Sequence, residues 1–244
     1  MESIPLHYGP KRLALSATQD ELNFPVQSAL RNAFNAWEVY SLHPKAMKGT
    51  VAVKAQDSLA PDGSNLAGVL HTAKSGSDEA FSRANQYLCA LLPGSTDLLT
   101  PVTENGTTYV AVRDPASGGE VAAPHLSDGT VSILGLCALL CADPAPGLVC
   151  IEEPENFLHP RDLGIVADLL KDISERSQVI ITTHSPHLLD HFKPEDLIVF
   201  DKEDGATRCE RLKDDYIVKL RETLKDTSLG ELWFSGVLGG VPER

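Results

Sequence analysis

Apolar residues recur at helical spacing through the first hundred residues. Between Pro25 and Tyr40 they stand three or four positions apart, at Val26, Leu30, Phe34 and Trp37. This period predicts one amphipathic helix, whose apolar stripe needs a partner surface. Two more helices are predicted, from Asn65 to about Ala73 behind an N-cap at Ser64, and from Ser77 to a stop at Pro93-Gly94.

Two dipeptides that tolerate positive φ predict β-hairpins. Asn105-Gly106 separates the strand-like segments 97–104 and 107–113, and Asp204-Gly205 separates 197–200 from 207–212. A two-residue type I′ turn is expected at Asn105-Gly106. The glycine-rich segment 114–119 is expected to be a flexible loop. Because no Lys-Ser or Lys-Thr and no helix follow it, it is not expected to hold a phosphate.

After residue 124 the pattern becomes that of an α/β protein. Ser127 is a natural N-cap for a mostly apolar helix, and strands and helices then alternate, at 127–140, 147–151, 160–173, 178–183 and 187–191. A helix is predicted at 214–225. The apolar segment 228–240 is expected to pack back onto the domain.

Polar groups follow both of the apolar strands. The first strand ends in Glu152-Glu153-Pro154, and the second ends at His184. Because burying an unpaired carboxylate costs roughly several kcal/mol, the glutamates are expected at an opening that holds a cation. If the strands are parallel neighbours joined by a right-handed crossover, the glutamates and His184 line one crevice at their carboxyl ends.

Composition narrows the class of protein. A chain of 244 residues with 42% hydrophobic residues can form one large domain, with or without a small subdomain. The net charge of -13 argues against broad electrostatic binding to nucleic acid or acidic membranes. No apolar run approaches the roughly 20 residues that span a bilayer, and the first residues do not have the order of a signal peptide. A cytoplasmic protein is expected.

The five cysteines form no CxxC pair. Cys137, Cys141 and Cys150 lie within apolar runs, which favours buried free thiols over disulfides or zinc ligands.

Three motifs stand in chain order: Leu126-Ser127-Asp128-Gly129-Thr130, Leu148-Val149-Cys150-Ile151-Glu152-Glu153-Pro154 and Ile180-Ile181-Thr182-Thr183-His184. They resemble the signature, Walker B and switch-histidine motifs of an ABC-type ATPase. The resemblance is to the branch with the SMC and RecF families and the bacterial predicted AAA-like ATPases. It is continuous from about Pro124 to Phe200. It implies an α/β, P-loop NTPase-like layered fold with parallel core strands, a helical subdomain and β-hairpins.

The resemblance also implies a role for each motif residue. Glu152 would hold Mg²⁺, Glu153 would orient the attacking water, and His184 would hydrogen-bond the γ-phosphate of ATP. Further ATP contacts are implied for Ser127, Asp128 and Gly129 of the signature and for Asn156 and His159 at the D-loop. In this family the signature helix reaches the nucleotide of a second subunit, so a homodimer that sandwiches two nucleotides, ATP or ADP, is expected.

The sequence departs from the family pattern in three places. Glu152 stands where the family usually has aspartate, and Asp128 stands where transporters have glycine. No GxxxxGK[ST] occurs, so the phosphate loop and the N-terminal Walker A lobe that carries it are expected to be missing. The predicted organisation is a loop or residual linker at 1–24, a helical and β-hairpin part at 25–123, and the motif-bearing part with a C-terminal helix at 124–244.

Alternatives to an ATPase stay open. The chain could be a non-catalytic interaction module, or a half-subunit that needs another chain with Walker A. A repair or defence ATPase that engages nucleic acid is suggested by the resemblance alone and is opposed by the charge. His187 and His191 stand four apart but no third metal ligand is evident, and a solvated helix face is expected. Asp201, Glu203 and Asp204 belong to a predicted hairpin rather than to a nuclease site.

Overall fold

The computed structural model describes residues 24–76, 78–92, 94–95, 97–116, 118–223 and 227–240. Its helices are α1 (Pro25–Asn35), α2 (Pro44–Met47), α3 (Leu66–Gly76), α4 (Asp78–Leu91), α5 (Asp128–Leu140), α6 (Leu163–Ser174), α7 (Pro186–Leu189), α8 (Asp214–Thr223) and α9 (Leu229–Phe234). Its strands are β1 (Trp37–Tyr40), β2 (Val51–Ala52), β3 (Asp97–Leu99), β4 (Thr107–Thr108), β5 (Ala111–Asp114), β6 (Gly119–Ala122), β7 (Leu148–Glu152), β8 (Gln178–Thr182), β9 (Ile198–Glu203) and β10 (Ala206–Arg211).

A parallel sheet with the order β1-β7-β8 organises the molecule. Tyr40 pairs with Ile151, and Ile151 pairs with Ile181, so the three strands end at the same edge. The prediction that the two motif-bearing strands are parallel neighbours is confirmed. The helix between them, α6, buries Leu163, Val166, Ala167, Leu169, Leu170 and Ile173, as its apolar spacing requires.

Helix α5 lies at the centre of the main hydrophobic core. It is buried along its length from Thr130 to Leu140, as its nearly continuous apolar sequence predicts, and it packs against α2, α3, α4 and α6. Arg176 donates to the carbonyls of Leu140 and Ala142 and so satisfies backbone acceptors at the helix end. One hydrophobic core therefore joins residues on both sides of the predicted boundary at 123/124.

The prediction of a single helix over Pro25–Tyr40 is wrong. The helix ends at Asn35, and residues 37–40 form β1, because their backbone finds hydrogen-bond partners in β7. The apolar stripe of α1 is not buried by the described residues. Its members are exposed, and Phe34 and Trp37 contact each other edge to face.

The turn chemistry of the middle segment also differs from prediction. The antiparallel pairing of segments 97–104 and 107–113 is confirmed. The turn runs from Thr103 to Gly106, and only Gly106 has a positive φ, whereas a type I′ turn needs positive φ at Asn105 as well. In the segment 114–119, predicted as a flexible loop, Asp114 of β5 pairs with Gly119 of β6, and residue 117 lies outside the described residues.

The cap predicted at Ser64 is also wrong. Helix α3 begins two residues later, at Leu66, and the Ser64 N–H donates to Asp62 at 2.9 Å. The side-chain oxygen of Asn65 instead accepts from the Ala60 N–H at 2.7 Å.

The C-terminal residues form a smaller structure beside the main core. The hairpin at Asp204-Gly205 is confirmed, with positive φ at both residues. A second hydrophobic cluster buries Leu220 of α8, Leu229 and Leu232 of α9, and Leu238 after α9. The prediction that segment 228–240 packs back onto the domain is confirmed for these residues.

Buried thiols are confirmed at Cys137 and Cys141. Burial raises the pKa of both, that of Cys141 to about 11. Cys150 is half-buried, and Cys209 is exposed. No helix in the described part of the chain is long and apolar enough to cross a membrane.

Candidate functional site

The carboxyl edge of the parallel sheet borders a cavity of about 390 Å³. Its lining comes from the ends of all three strands and from α5, and comprises Ser41, Leu42, His43, Ser132, Leu136, Ile151, Glu152, Glu153, Pro154, Asn156, Phe157 and Thr182. Ligands of α/β proteins bind at this edge of the sheet. The sequence prediction of an opening beside Glu152 and Glu153 is therefore met by a polar cavity.

Glu152 is the last residue of β7 and is exposed beside the cavity. Among the described residues, no cationic side chain or hydrogen-bond donor contacts its carboxylate. A free carboxylate at a strand end is available to a ligand that brings its own positive charge.

The backbone at Glu153 is held in an unusual conformation. Its φ is +43°, a value that non-glycine residues rarely adopt, and its N–H donates to the Thr182 carbonyl at 3.0 Å. The side-chain amide of Asn156 donates to the Glu153 carboxylate at 2.8 Å. The neighbouring strand and the following turn thus fix both the backbone and the side chain of Glu153.

Glu155 joins the two segments that carry the predicted catalytic residues. One of its carboxylate oxygens accepts from the Thr183 hydroxyl at 2.5 Å and from the His184 N–H at 3.1 Å. Its other oxygen is buried without a hydrogen-bond partner among the described residues. His184 itself is exposed, lies at the same sheet edge as Glu153, and does not line the cavity.

The N-terminus of α5 is capped as predicted. The Ser127 hydroxyl accepts from the Thr130 N–H at 3.0 Å. Asp128, the first residue of the helix, accepts from the Lys48 ammonium at 2.6 Å, and Lys48 also donates to the Leu126 carbonyl at 2.9 Å. Lys48 therefore neutralises Asp128 at the point where the sequence predicts an ATP contact.

Gly129 packs tightly against its own chain. A Cβ at this position would lie 2.8 Å from the carbonyl oxygen of Phe157, closer than such atoms approach. The sequence suggests that this glycine lets an anion come close, whereas the immediate neighbour in the structure is the 156–158 turn. The glycine is thus needed for the contact between the signature-like segment and the segment after β7.

His159 has a local structural role. Its Nδ1 accepts from the Arg161 N–H at 3.1 Å and caps the short 3-10 turn at Pro160–Asp162. Ser127, Asp128, Gly129, His159 and His184 lie outside the cavity lining, whereas Glu152, Glu153 and Asn156 belong to it.

Four features of the site have no counterpart in the sequence predictions. They are the bridge at Glu155, the ion pair of Lys48, the buried hydroxyl of Ser132, which has no hydrogen-bond partner among the described residues, and Ser41 with His43 after β1. Ser41 and His43 are missed because β1 is predicted as helix. Glu155 could have been found from the sequence, because it is the third carboxylate of the segment Glu152-Glu153-Pro154-Glu155.

Residues 20–190 match the family model described as "AAA domain, putative AbiEii toxin, Type IV TA system". The chain belongs to this family. The match includes all three motifs and covers more than half of the 244 residues. The predicted resemblance to bacterial AAA-like ATPases is confirmed by this match. The parallel sheet β1-β7-β8 with its helices confirms the predicted α/β fold class.

Solved structures similar to this AAA-domain chain include heads of SMC proteins. One, described under ATP-driven dimerization and DNA stimulated activation of SMC ATPases, has 19% identity over 62% of this chain and 94% of its own, with a TM-score of 0.45. An SMC head bound to the C-winged helix domain of ScpA has 20% identity over 63% and 50%, with a TM-score of 0.48.

The SMC head domain from Thermotoga maritima has 17% identity over 60% of this chain and 52% of its own, with a TM-score of 0.42. The chain thus spans about half the length of the last two structures. The family assignment does not rest on these distant likenesses.

Proposed function

We propose that this AAA-domain chain carries the magnesium-placing and water-orienting part of an ATP hydrolysis site. One observation supports this most directly. The carboxylates at the end of β7 border a polar cavity together with Thr182 of the adjacent parallel strand, and Glu155 ties this edge to the His184 loop. Carboxylates and a histidine at one strand edge suit phosphoryl transfer, which depends on positioning and charge stabilisation.

The residues present fit a magnesium ion that is bound together with phosphates. Mg²⁺ is usually held by one or two carboxylates, substrate phosphates and water rather than by an all-protein cage. Glu152 offers such a carboxylate beside the cavity, and no cationic side chain or hydrogen-bond donor of the described residues contacts it. Bound Mg²⁺ would neutralise charge on the transferred phosphoryl group.

Glu153 is proposed to orient the attacking water. Asn156 and Thr182 restrain its carboxylate and its backbone, which lowers the entropy cost of holding a water in line with the γ-phosphate. His184 is proposed to donate a hydrogen bond to that phosphate.

The exposed N-terminus of α5 is proposed to serve the nucleotide of a second copy. Ser127 and Asp128 are exposed, and neither lines the cavity beside Glu152 and Glu153. Free N–H groups at a helix start favour an anion. A homodimer would bring this helix start to the partner's nucleotide, with Gly129, Asn156 and His159 at the interface between the two copies.

The phosphate loop is proposed to come from polypeptide outside these 244 residues. Parallel sheets are normally covered on both faces, but Val39 of β1 and Ile180 of β8 are 56% and 43% exposed. Among the described strands, β8 pairs only with β7. A strand that pairs with the free edge of β8 would end beside His184, where a phosphate loop could begin.

A non-catalytic interaction module is the second candidate, because the sequence contains no GxxxxGK[ST]. Calorimetry with Mg-ATP on the purified chain separates the two. The proposal expects no binding by the chain alone, and binding once the phosphate-loop polypeptide is added. If the chain does not bind Mg-ATP with any polypeptide that carries a phosphate loop, the interaction module is the better description of its function. The charge of -13 offers no support for DNA binding.

Replacing Glu153 tests the chemistry directly. In the complemented ATPase, meaning this chain with the polypeptide that supplies its phosphate loop, we expect Glu153→Gln to bind Mg-ATP normally and to hydrolyse it very slowly. The amide keeps the size of the side chain but orients water poorly. Turnover at the wild-type rate would remove Glu153 from the mechanism.

A further inference from the structure

The C-terminal helix α9 packs against α7, the short helix that follows His184. Gly230 of α9 is buried and lies against α7. A Cβ at Gly230 would lie 2.1 Å from the Pro186 carbonyl oxygen, and the Gly230 N–H donates to the Asp190 carboxylate at 2.7 Å. Gly230 therefore allows a backbone-to-backbone contact that no other residue type could make.

Helix α9 is well formed at this contact. The Ser228 hydroxyl accepts from the Glu231 N–H, and the Glu231 carboxylate accepts from the Ser228 N–H, which makes a reciprocal capping box. Leu229 and Leu232 anchor the helix in the second hydrophobic cluster. The surface that α9 presents to α7 is thus fixed by local capping and by packing.

A short chain of contacts links α7 to His184. Pro186 is the first residue of α7, and the Ser185 hydroxyl caps it by accepting from the Leu188 N–H at 3.2 Å. The Ser185 N–H donates to the Thr183 hydroxyl at 3.0 Å. His184 lies between Thr183 and Ser185, so a shift of Pro186 would move its backbone.

The His184 loop is therefore held from two sides. On one side Glu155 accepts from Thr183 and His184. On the other side Gly230 of α9 packs against Pro186 and donates a hydrogen bond to Asp190. The contact between Asp190 and Gly230 spans 40 residues of sequence and joins the second hydrophobic cluster to the edge of the main sheet.

We propose that α9 positions His184. Asp190 and Gly230 are positioning residues that act through Pro186. The C-terminal segment is then a part of the hydrolysis site rather than a separate appendage. This inference rests on the proposed function for its consequence in turnover. Its structural content, that the α9 contact holds the backbone that carries His184, is argued from these contacts alone.

The structural content is tested on the chain without nucleotide. We expect Asp190→Ala and Gly230→Ala to shift the His184 imidazole signals in NMR spectra, where His184→Gln assigns them. Asp190→Asn keeps an acceptor oxygen for the Gly230 N–H and should restore the wild-type signals. His71, which contacts Thr100 in another part of the fold, is the internal reference and should not shift.

Unchanged His184 signals in both Asp190→Ala and Gly230→Ala would overturn the inference. If Gly230→Ala does not fold, Asp190→Ala and its Asn counterpart decide the question. In the complemented ATPase, we expect Asp190→Ala to lower kcat on the order of tenfold or more with little change in KM, since a misplaced group costs rate rather than binding. A shifted His184 signal with normal turnover would refute the role of His184 in the proposed function and leave its positioning by α9 intact.

Discussion

Lys48 forms an ion pair with Asp128, a residue of the signature-like motif, and offsets its charge. Asp128 stands at the start of α5, where an acidic residue is favoured by the helix dipole but would repel a triphosphate. Lys48 lies 2.6 Å from it and also holds the Leu126 carbonyl. Lys48 therefore offsets the charge of Asp128 at the start of the helix.

Replacing Lys48 should therefore expose the charge of Asp128. In the complemented ATPase, we expect Lys48→Met to raise the KM for Mg-ATP, and we expect Asp128→Asn in the same chain to restore it. The exposure of Asp128 limits the loss of folding stability to about 1 kcal/mol in urea titrations. A KM that Asp128→Asn does not restore would show that Lys48 acts in another way.

The cysteines differ in burial, and their reactivity should differ in the same way. Burial raises the pKa of the Cys137 and Cys141 thiols, so little thiolate forms at neutral pH. We expect a maleimide at pH 7 to label the exposed Cys209 quickly, and Cys137 and Cys141 only after unfolding. Mass spectrometry of tryptic peptides gives the rates, and rapid labelling of Cys137 would contradict the packing of α5.

Helix α5 combines a central place in the core with a capped end at the candidate site. Its N-terminus contacts Lys48 through Asp128 and the 156–158 turn through Gly129. The segment after β7 therefore packs against the start of α5, and a change in one should be felt in the other.

Gly129→Ala tests this contact. The new methyl group would meet the Phe157 carbonyl at 2.8 Å, and such overpacking costs about 1–3 kcal/mol. We expect a lower free energy of unfolding in urea titrations. Gly76→Ala is the matched control, because nothing lies within 4 Å of its Cβ position in α3, and alanine favours a helix. Equal stability of the two variants would contradict the contact.

Among the described residues, one face of the parallel sheet is covered and the other is open. Tyr40 and Ile151 lie on the face that packs into the main core. Val39 and Ile180 lie on the opposite face and are about half exposed. The apolar stripe of α1 is exposed as well. Surfaces of this kind are typical of a domain that packs against further polypeptide.

Shortening a side chain to alanine should lower the free energy of unfolding more on the covered face of the sheet than on the open face. We expect Ile151→Ala to cost about 2–5 kcal/mol of unfolding free energy, because it leaves a cavity in the core. Ile180→Ala should cost about 1 kcal/mol or less, since the side chain is already half exposed. With the phosphate-loop polypeptide bound, the cost at Ile180 should rise, and an unchanged cost would argue that the partner does not cover this face.

Much of the fold could be predicted from the sequence because the signals are local. The apolar spacing of α6, the cap at Ser127 and the Asp204-Gly205 turn depend on neighbouring residues, and these three are confirmed. The motif order also predicted the family and the adjacency of β7 and β8. The end of α1 could not be predicted, because Trp37–Tyr40 fits a helical period and becomes a strand only through pairing with β7.

The sequence by itself determined that Glu152, Glu153 and His184 stand at the ends of two neighbouring strands. Their arrangement was decided by the tertiary structure. Glu155 reaches His184 across 29 residues of sequence, Lys48 reaches Asp128 across 80, and Gly230 reaches Asp190 across 40. Such contacts depend on how distant segments pack, and the spacing of residues along the chain carries no information about them.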